Sequence, residues 1–492
     1  MTEIDVEISG RSYHRVDLGV DGTVEGYLPK TGQYINYFNS SPELVFPAGS
    51  NPGPIYFGVA RYAASTGAAM TIVYPKDTSW NGKMWVTVHG RGRSFKGGSL
   101  RAWNRNLDPD KPTGDLTKYE TLMLSKGYAL VKTYRSSDTL GGDVQVTLED
   151  GTFYSERNLN DNAQYIIDFT LVAEKTIEKR LGKPPSRTYF YGHSAGARIG
   201  RSLNYKAGLN RDSEGQPIFD GILADDSATG LWLPIQMKGD RDVLFQTDAE
   251  RAAFVPQLEI SHQMYNAESP GEKAPWISTN YLENKRQNAR LLRDKGLSSK
   301  HRMYEVRRIS HSGGDALPDG RRGDTEILDL SRFMDRFIDM LDAWVDKGVA
   351  PPPTRSDWAE LGDVNRDGEI EHPALVFPEV ACPLGVYHQF PASSGTGGGG
   401  VTAYAPYSGD GLEPLDGRGV FVDMNANRVW DEREIPTQAW QRLGLLHPGE
   451  RLTEERYLRC VREAAGRLRD EGFFSERTAS WYVETARTTK IK

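Results

Sequence analysis

The run Gly192-His193-Ser194-Ala195-Gly196 sets a serine between small neighbours in the pattern Gly-x-Ser-x-Gly. A serine hydroxyl attacks a carbonyl only when a base takes its proton. The pattern follows an apolar strand-like run, Arg187–Tyr191, and leads into Ala197–Tyr205, whose composition suits a helix. A strand that turns directly into a helix needs small residues around the turn, because larger side chains there collide. That turn lifts the serine hydroxyl out of the sheet, where a base can reach it. The plainer alternative is a glycine-rich turn carrying an idle serine.

The base must come from elsewhere in the chain. Six histidines follow Ser194: His262, His301, His311, His372, His388 and His447. His311 stands two residues beyond the strand-like run Met303–Ile309, in Ser310-His311-Ser312-Gly313-Gly314, and is taken as the base. His262 holds a similar place after an earlier strand and is its rival. A carboxylate should hold the imidazole in the right tautomer. Glu268, after the strand-like Pro256–Ser261, is taken first and Asp226 next; Asp225 and Glu259 stay open, the latter mid-strand and less available. An oxyanion formed by the attack needs two backbone N–H donors. Ala195 follows the serine, and Arg91 lies in His89-Gly90-Arg91-Gly92 at the end of the strand-like Met84–His89. An ordinary strand-end turn would carry the same residues.

These groups need a scaffold. From about residue 69 the sequence alternates apolar strands with amphipathic helices: strands at Met70–Tyr74, Met84–His89, Tyr128–Tyr134, Arg187–Tyr191, Phe219–Ala224, Pro256–Ser261 and Met303–Ile309, helices at Leu116–Lys126, Asp161–Leu181, Leu282–Lys295 and Asp329–Lys347. That alternation predicts an α/β fold with a mostly parallel sheet covered on both faces. Three regions result: a β-rich N-terminal extension (1–68), a catalytic core (69–350), and a Gly/Pro/Asp-rich C-terminal extension (351–492) beginning at Pro351-Pro352-Pro353. The extension contains a Gly397–Gly400 tract that reads as a flexible loop, and closes with helices at Thr453–Asp470 and Glu476–Arg487. Residues 227–254 lack a clear period. Leu231, Trp232, Leu233 and Phe245 there suit either a lid over an apolar pocket or plain core packing.

The order His89-Gly90, then Gly192–Gly196, then His311 resembles an α/β-hydrolase over about residues 70–350. The loop after Met84–His89 resembles the His-Gly-Gly-Gly type, with Arg91 replacing a glycine. Tyr189–Gly196 and Phe219–Ala224 also resemble the tannase and feruloyl esterase group, although His193 stands where a cysteine is usual there and that group's disulfides are missing. The resemblance is closer to a large family of bacterial α/β-hydrolase-domain proteins. Its members share a segment like Phe377–Gly385 and terminal helices like Tyr457–Phe473, so this likeness spans nearly the whole chain. It implies that the C-terminal region packs on the catalytic core. It also implies a serine hydrolase that needs no cofactor for catalysis; a carboxylic ester, small or polymeric, is the leading substrate class, with an amidase, a peptidase, a polyester depolymerase or a catalytically silent binding protein of the same fold as alternatives.

Two segments have the spacing of calcium loops. Asp363, Asn365 and Asp367 occupy positions 1, 3 and 5 with Gly368 at 6, but position 12 is Ala374. Asp423, Asn425, Asn427, Asp431 and Glu434 supply positions 1, 3, 5, 9 and 12, with Arg428 where glycine is expected. A structural Ca²⁺ is the expectation, set against Asx-rich turns capped by their own side chains. Composition removes several other functions. With 60 basic against 67 acidic residues, the net charge of −7 gives no basic excess for nucleic acid. No apolar run approaches the roughly 18 residues of a membrane span. The opening Met1-Thr2-Glu3-Ile4-Asp5 is acidic and lacks the apolar core of a signal peptide. Cys382 and Cys460 are too few for a disulfide framework or a zinc cluster, and the sequence leaves their pairing open.

Overall fold

The computed structural model describes residues 2–18, 25–27, 34–36, 70–76, 78–89, 116–134, 145–147, 153–155, 163–193, 195–205, 210–212, 214–226, 244–262, 281–309, 328–355, 357–360, 374–387, 404–407 and 435–491. Among the described residues, nine strands form one sheet: β1 (Thr2–Ile8), β2 (Arg11–Leu18), β3 (Met70–Pro75), β4 (Lys83–His89), β5 (Ala129–Tyr134), β6 (Arg187–His193), β7 (Gly221–Asp225), β8 (Gln257–His262) and β9 (His301–Val306). Their spatial order is β1-β2-β3-β5-β4-β6-β7-β8-β9. The first three strands run antiparallel to their neighbours, and β5, β4, β6, β7, β8 and β9 are parallel. The N-terminal strands therefore extend the main sheet. Three short antiparallel pairs lie outside it: Glu25–Tyr27 with Tyr34–Asn36, Gln145–Thr147 with Phe153–Ser155, and Gly385–Tyr387 with Tyr404–Pro406.

Helices lie on both faces, as continuous apolar strands such as β7 (Gly-Ile-Leu-Ala-Asp, buried throughout) require. α1 (Lys118–Ser125) begins with a capping box in which Thr117 accepts from the Glu120 amide and Glu120 accepts from the Thr117 amide. α2 spans Ala163–Leu181, α3 Ala195–Tyr205, α4 Tyr281–Asp294 and α5 Ser331–Lys347. On α5, Phe333, Met334, Phe337, Ile338, Leu341 and Trp344 recur at helical spacing and are buried. Full burial of side chains of that size is worth about 1.5–3 kcal/mol each. α5 ends at Gly348, whose φ of +67° lets the last carbonyls be capped.

The described parts of the C-terminal region join the same core. Leu375 bridges to Val306 in parallel, giving its N–H to Glu305 and accepting from Arg307, and so continues the sheet beyond β9. The ring of Phe377 meets Phe333 edge-on at 4.7 Å. α6 (Glu454–Asp470) and α7 (Glu476–Thr488) add Val461, Leu468, Ala479 and Tyr482 to the cluster that holds α5. Cys382 and Cys460 form a disulfide that ties the short helix Pro378–Ala381 to α6. The sequence left this pairing open. The bridge closes a span of 78 residues, and closing a loop of that size in the unfolded ensemble stabilises by about 4–5 kcal/mol on a chain-entropy basis.

Candidate active site

Strand order places the site before any side chain is considered. From β4 the chain moves to β5 on one side, then crosses to β6 on the other, so the direction of winding reverses between β4 and β6. Loops leaving the C-terminal ends of such a pair diverge and open a crevice. At those ends His89 of β4 is in register with His193 of β6, and His193 with Asp225 of β7.

The chain leaves β6 in a sharp turn. β6 ends at His193 and α3 begins at Ala195. Gly192 lies against the first turn of α3 so closely that an added β-carbon would stand 2.3 Å from the carbonyl carbon and oxygen of Gly196 and 2.8 Å from the Ala197 nitrogen. No residue with a side chain fits there. Gly200, one turn further along α3, has the same character: a β-carbon would stand 2.9 Å from the ring of Phe190 and 3.0 Å from Ile222. Glycine thus draws α3 onto the sheet at two levels.

Three buried ionisable side chains gather at the ends of β7 and β8. Asp225, Asp226 and His262 have no exposed surface. His262 Nε2 is 2.9 Å from Asp225 Oδ1, and its Nδ1 is 3.4 Å from Asp226 Oδ2. The Tyr191 hydroxyl donates to Asp225 Oδ2 at 2.8 Å; burial and that carboxylate raise its pKa well above the usual phenol value. The ring of His193 lies 6.0 Å from that of His262.

On the opposite face, α3 is pinned by a second buried network. Arg201 Nε donates to both carboxylate oxygens of Glu259 at 3.1 Å, and its terminal nitrogen also reaches Glu259. His301 Nε2 lies 2.9 Å from Glu259, and Gln257 donates to it at 2.6 Å. Burial opposes the charge of Glu259, but Arg201 and His301 outweigh it and hold the carboxyl well below the usual range. Nearby, Lys285 of α4 donates to Ser261 at 2.6 Å. Burial pulls its ammonium down to about 8, against the opposing fields of Asp226 and Glu305.

The structure places the sequence-derived candidates unevenly. Ala195 opens α3, and Asp225, Asp226, Glu259 and His262 stand as just described. Ser194, His311, Glu268 and Arg91 lie outside the described residues, as do the calcium-loop candidates Asp363, Asn365, Asp367, Asp423, Asn425, Asn427, Asp431 and Glu434 and the Gly397–Gly400 tract. Among the described residues, no group of three His, Cys, Asp or Glu side chains is arranged to hold a metal ion. Phe245, weighed as a lid residue, is packed among Tyr205, Phe254 and Leu292 and belongs to a satellite core; Leu231, Trp232 and Leu233 lie outside the described residues. In the sequence, His262 stands as a rival base and Asp225 and Asp226 as alternative acids, and nothing there joins them into one cluster. Its signal was an Asp-Asp pair closing one strand and a histidine closing the next.

Residues 81–484 match the alpha/beta hydrolase domain family over most of the chain's length. The chain belongs to that family. Its fold is the α/β-hydrolase fold, a mixed and mostly parallel sheet with N-terminal antiparallel strands. No curated protein matches the chain. Solved structures similar to it include Thermogutta terrifontis esterase 2 phosphonylated by cyclosarin, at 14% identity and a TM-score of 0.32 over 57% of this chain and 91% of that one. A poly(3-hydroxybutyrate) depolymerase from Bordetella parapertussis is 12% identical, with a TM-score of 0.31 over 59% of this chain and 87% of the other. A truncated carbohydrate esterase from gut microbiota is 13% identical, with a TM-score of 0.26 over 49% and 83%. Among the described residues, no helix is long and apolar enough to cross a membrane.

Proposed function

We propose that this alpha/beta hydrolase is a serine esterase that cleaves carboxylic esters through an acyl-enzyme. The observation that carries the reading is the turn between β6 and α3: strand gives way to helix across one position, Gly192 is packed on Gly196, and the residue at that position is Ser194. Ser194 attacks the ester carbonyl while His311 takes its proton. The N–H groups of Ala195 and Arg91 hold the oxyanion, and Glu268 keeps the His311 imidazole in the receiving tautomer, with Asp226 as the alternative acid. His311 then gives its proton to the departing alkoxide. Water deprotonated by the same imidazole releases the acid and restores the serine. His262 suits the role of base less, because both of its ring nitrogens are turned to carboxylates.

The substrate, in this reading, is a small-molecule or polymeric ester. No cofactor takes part in catalysis, and a Ca²⁺ in the loops at Asp363 or Asp423 would act as a staple for the C-terminal region. Turnover of p-nitrophenyl esters of graded acyl length, set beside the matching p-nitroanilides, tests the proposal. The expected result is ester hydrolysis that Ser194→Ala abolishes. Preferential cleavage of the anilides would make the enzyme an amidase with the same machinery, and hydrolysis surviving in Ser194→Ala would overturn the reading.

A further inference from the structure

Asp225 and Asp226 are consecutive, so in an extended strand their side chains would leave opposite faces of the sheet. They do not. Asp226 has a φ of +52°, which turns its carboxylate back, and both acids face the imidazole of His262. A left-handed conformation at a residue other than glycine is strained, and such strain persists only where the surroundings over-determine it. The surroundings here are specific. The His262 amide donates to Asp226 Oδ1 at 3.0 Å, the Asp226 amide donates to the Ile260 carbonyl at 2.8 Å, and Tyr191 reaches across from β6 to Asp225. The ring of His262 is thereby tied to β6, β7 and β8 at once, and it lies against His193, the residue before Ser194.

Resting on the reading of Ser194 as nucleophile, we infer that His262 is a positioning residue: clamped between Asp225 and Asp226, its ring is the wall against which His193 sets the turn that presents the serine. His262 exchanges no proton with substrate in this account. It acts through the geometry of the turn, where an error of about 1 Å is enough to cost roughly 10²-fold in rate.

The test compares His262→Ala with His262→Gln, whose side-chain amide keeps an N–H for Asp225. Three quantities are read: steady-state hydrolysis of a p-nitrophenyl ester, the rate of Ser194 phosphonylation by a fluorophosphonate, and the melting midpoint. In His262→Ala, kcat is expected to fall by about 10²-fold with KM changed less than about threefold, and phosphonylation to slow by the same factor. His262→Gln is expected to recover about tenfold of that loss at a similar melting midpoint. Equal activity in the two variants, or an alanine variant that labels at the wild-type rate, overturns the inference. If His262→Ala does not fold, Tyr191→Phe takes its place. Loss of the hydroxyl on Asp225 should lower kcat about threefold at unchanged KM, and an unchanged kcat counts against the clamp. A wild-type protein that turns over esters without labelling at Ser194 sinks the nucleophile reading itself, an outcome separate from these.

Discussion

Gly192 and Gly196 are in backbone contact: a β-carbon on Gly192 would stand 2.3 Å from the Gly196 carbonyl, closer than real side chains approach. The first glycine of the Gly-x-Ser-x-Gly run therefore answers a steric demand set by the backbone of the second. The first lets the helix come back onto the strand, and the second is what it meets.

It follows that Gly192→Ala should be far more damaging than an exposed glycine change. Overpacking at a site with only backbone to displace costs about 1–3 kcal/mol or more, and the shift falls on the turn itself. The expected outcome is a lowered urea midpoint together with loss of most ester hydrolysis. Gly466→Ala, at a helix-interior position where an added β-carbon meets nothing within 4 Å, should leave hydrolysis unchanged and raise the midpoint slightly, by about 0.5–1 kcal/mol of helix propensity.

The carboxylate that orients the base is open to direct test. Glu268→Gln is expected to lower kcat by about 10³–10⁴-fold while the melting midpoint stays near that of the wild type, as loss of the orienting acid does in related machinery. Near-normal turnover in that variant moves the assignment to Asp226, and Asp226→Asn should then carry the loss.

Stability should fall as the pH rises from about 4.5 to 7. Removal from water pushes Glu174 up to about 7, although the Thr188 hydroxyl donates to it at 2.8 Å. Burial likewise pushes Glu379 up to about 7, against the field of Arg332. In the unfolded chain both titrate near 4.3. Between the two values the native state holds more protons, so the contribution of each is fully present below the unfolded pKa and is lost as the pH passes through 7. Urea midpoints at pH 5 and pH 8 check this. The difference should shrink in Glu174→Gln and Glu379→Gln, and an unaltered difference in both variants would contradict it.

Calcium in the loops at Asp363 and Asp423 would stabilise the native state alone. Excess EDTA should lower the melting midpoint and added Ca²⁺ restore it, since a ligand bound only to the folded form shifts the equilibrium towards it. A midpoint indifferent to both would count against the loops.

Much of the fold is legible in the sequence because the parallel strands are buried on both faces and read as apolar runs. Differences come where side chains take over from backbone pairing. The run Phe219–Ala224 reads as one strand, but the Phe219 amide is taken by the Asn210 side chain, and ladder pairing with β6 starts at Gly221. The run Met303–Ile309 ends as a strand at Val306, where Arg308 adopts a φ of +59°. The helix Asp248–Ala252 lies within the stretch read as aperiodic; five residues are too few to show a period, although Thr247 and Glu250 form a capping box.

The site was legible in part for a different reason. Gly192–Gly196 is a local pattern, and local patterns survive in one dimension. The cluster of Asp225, Asp226 and His262 depends on the adjacency of β7 and β8 and on one left-handed residue, neither of which is written in any short run. The disulfide between Cys382 and Cys460 depends on α6 folding back over the helix at Pro378–Ala381.

The nucleophilicity of Ser194 can be read without any ester substrate. Incubating the folded protein with a fluorophosphonate and mapping the adduct by peptide mass spectrometry tests it most directly. One stoichiometric adduct is expected, on Ser194, and it should disappear in Ser194→Ala and on prior unfolding. A native protein that stays unmodified, or that carries the adduct at another residue, would contradict it.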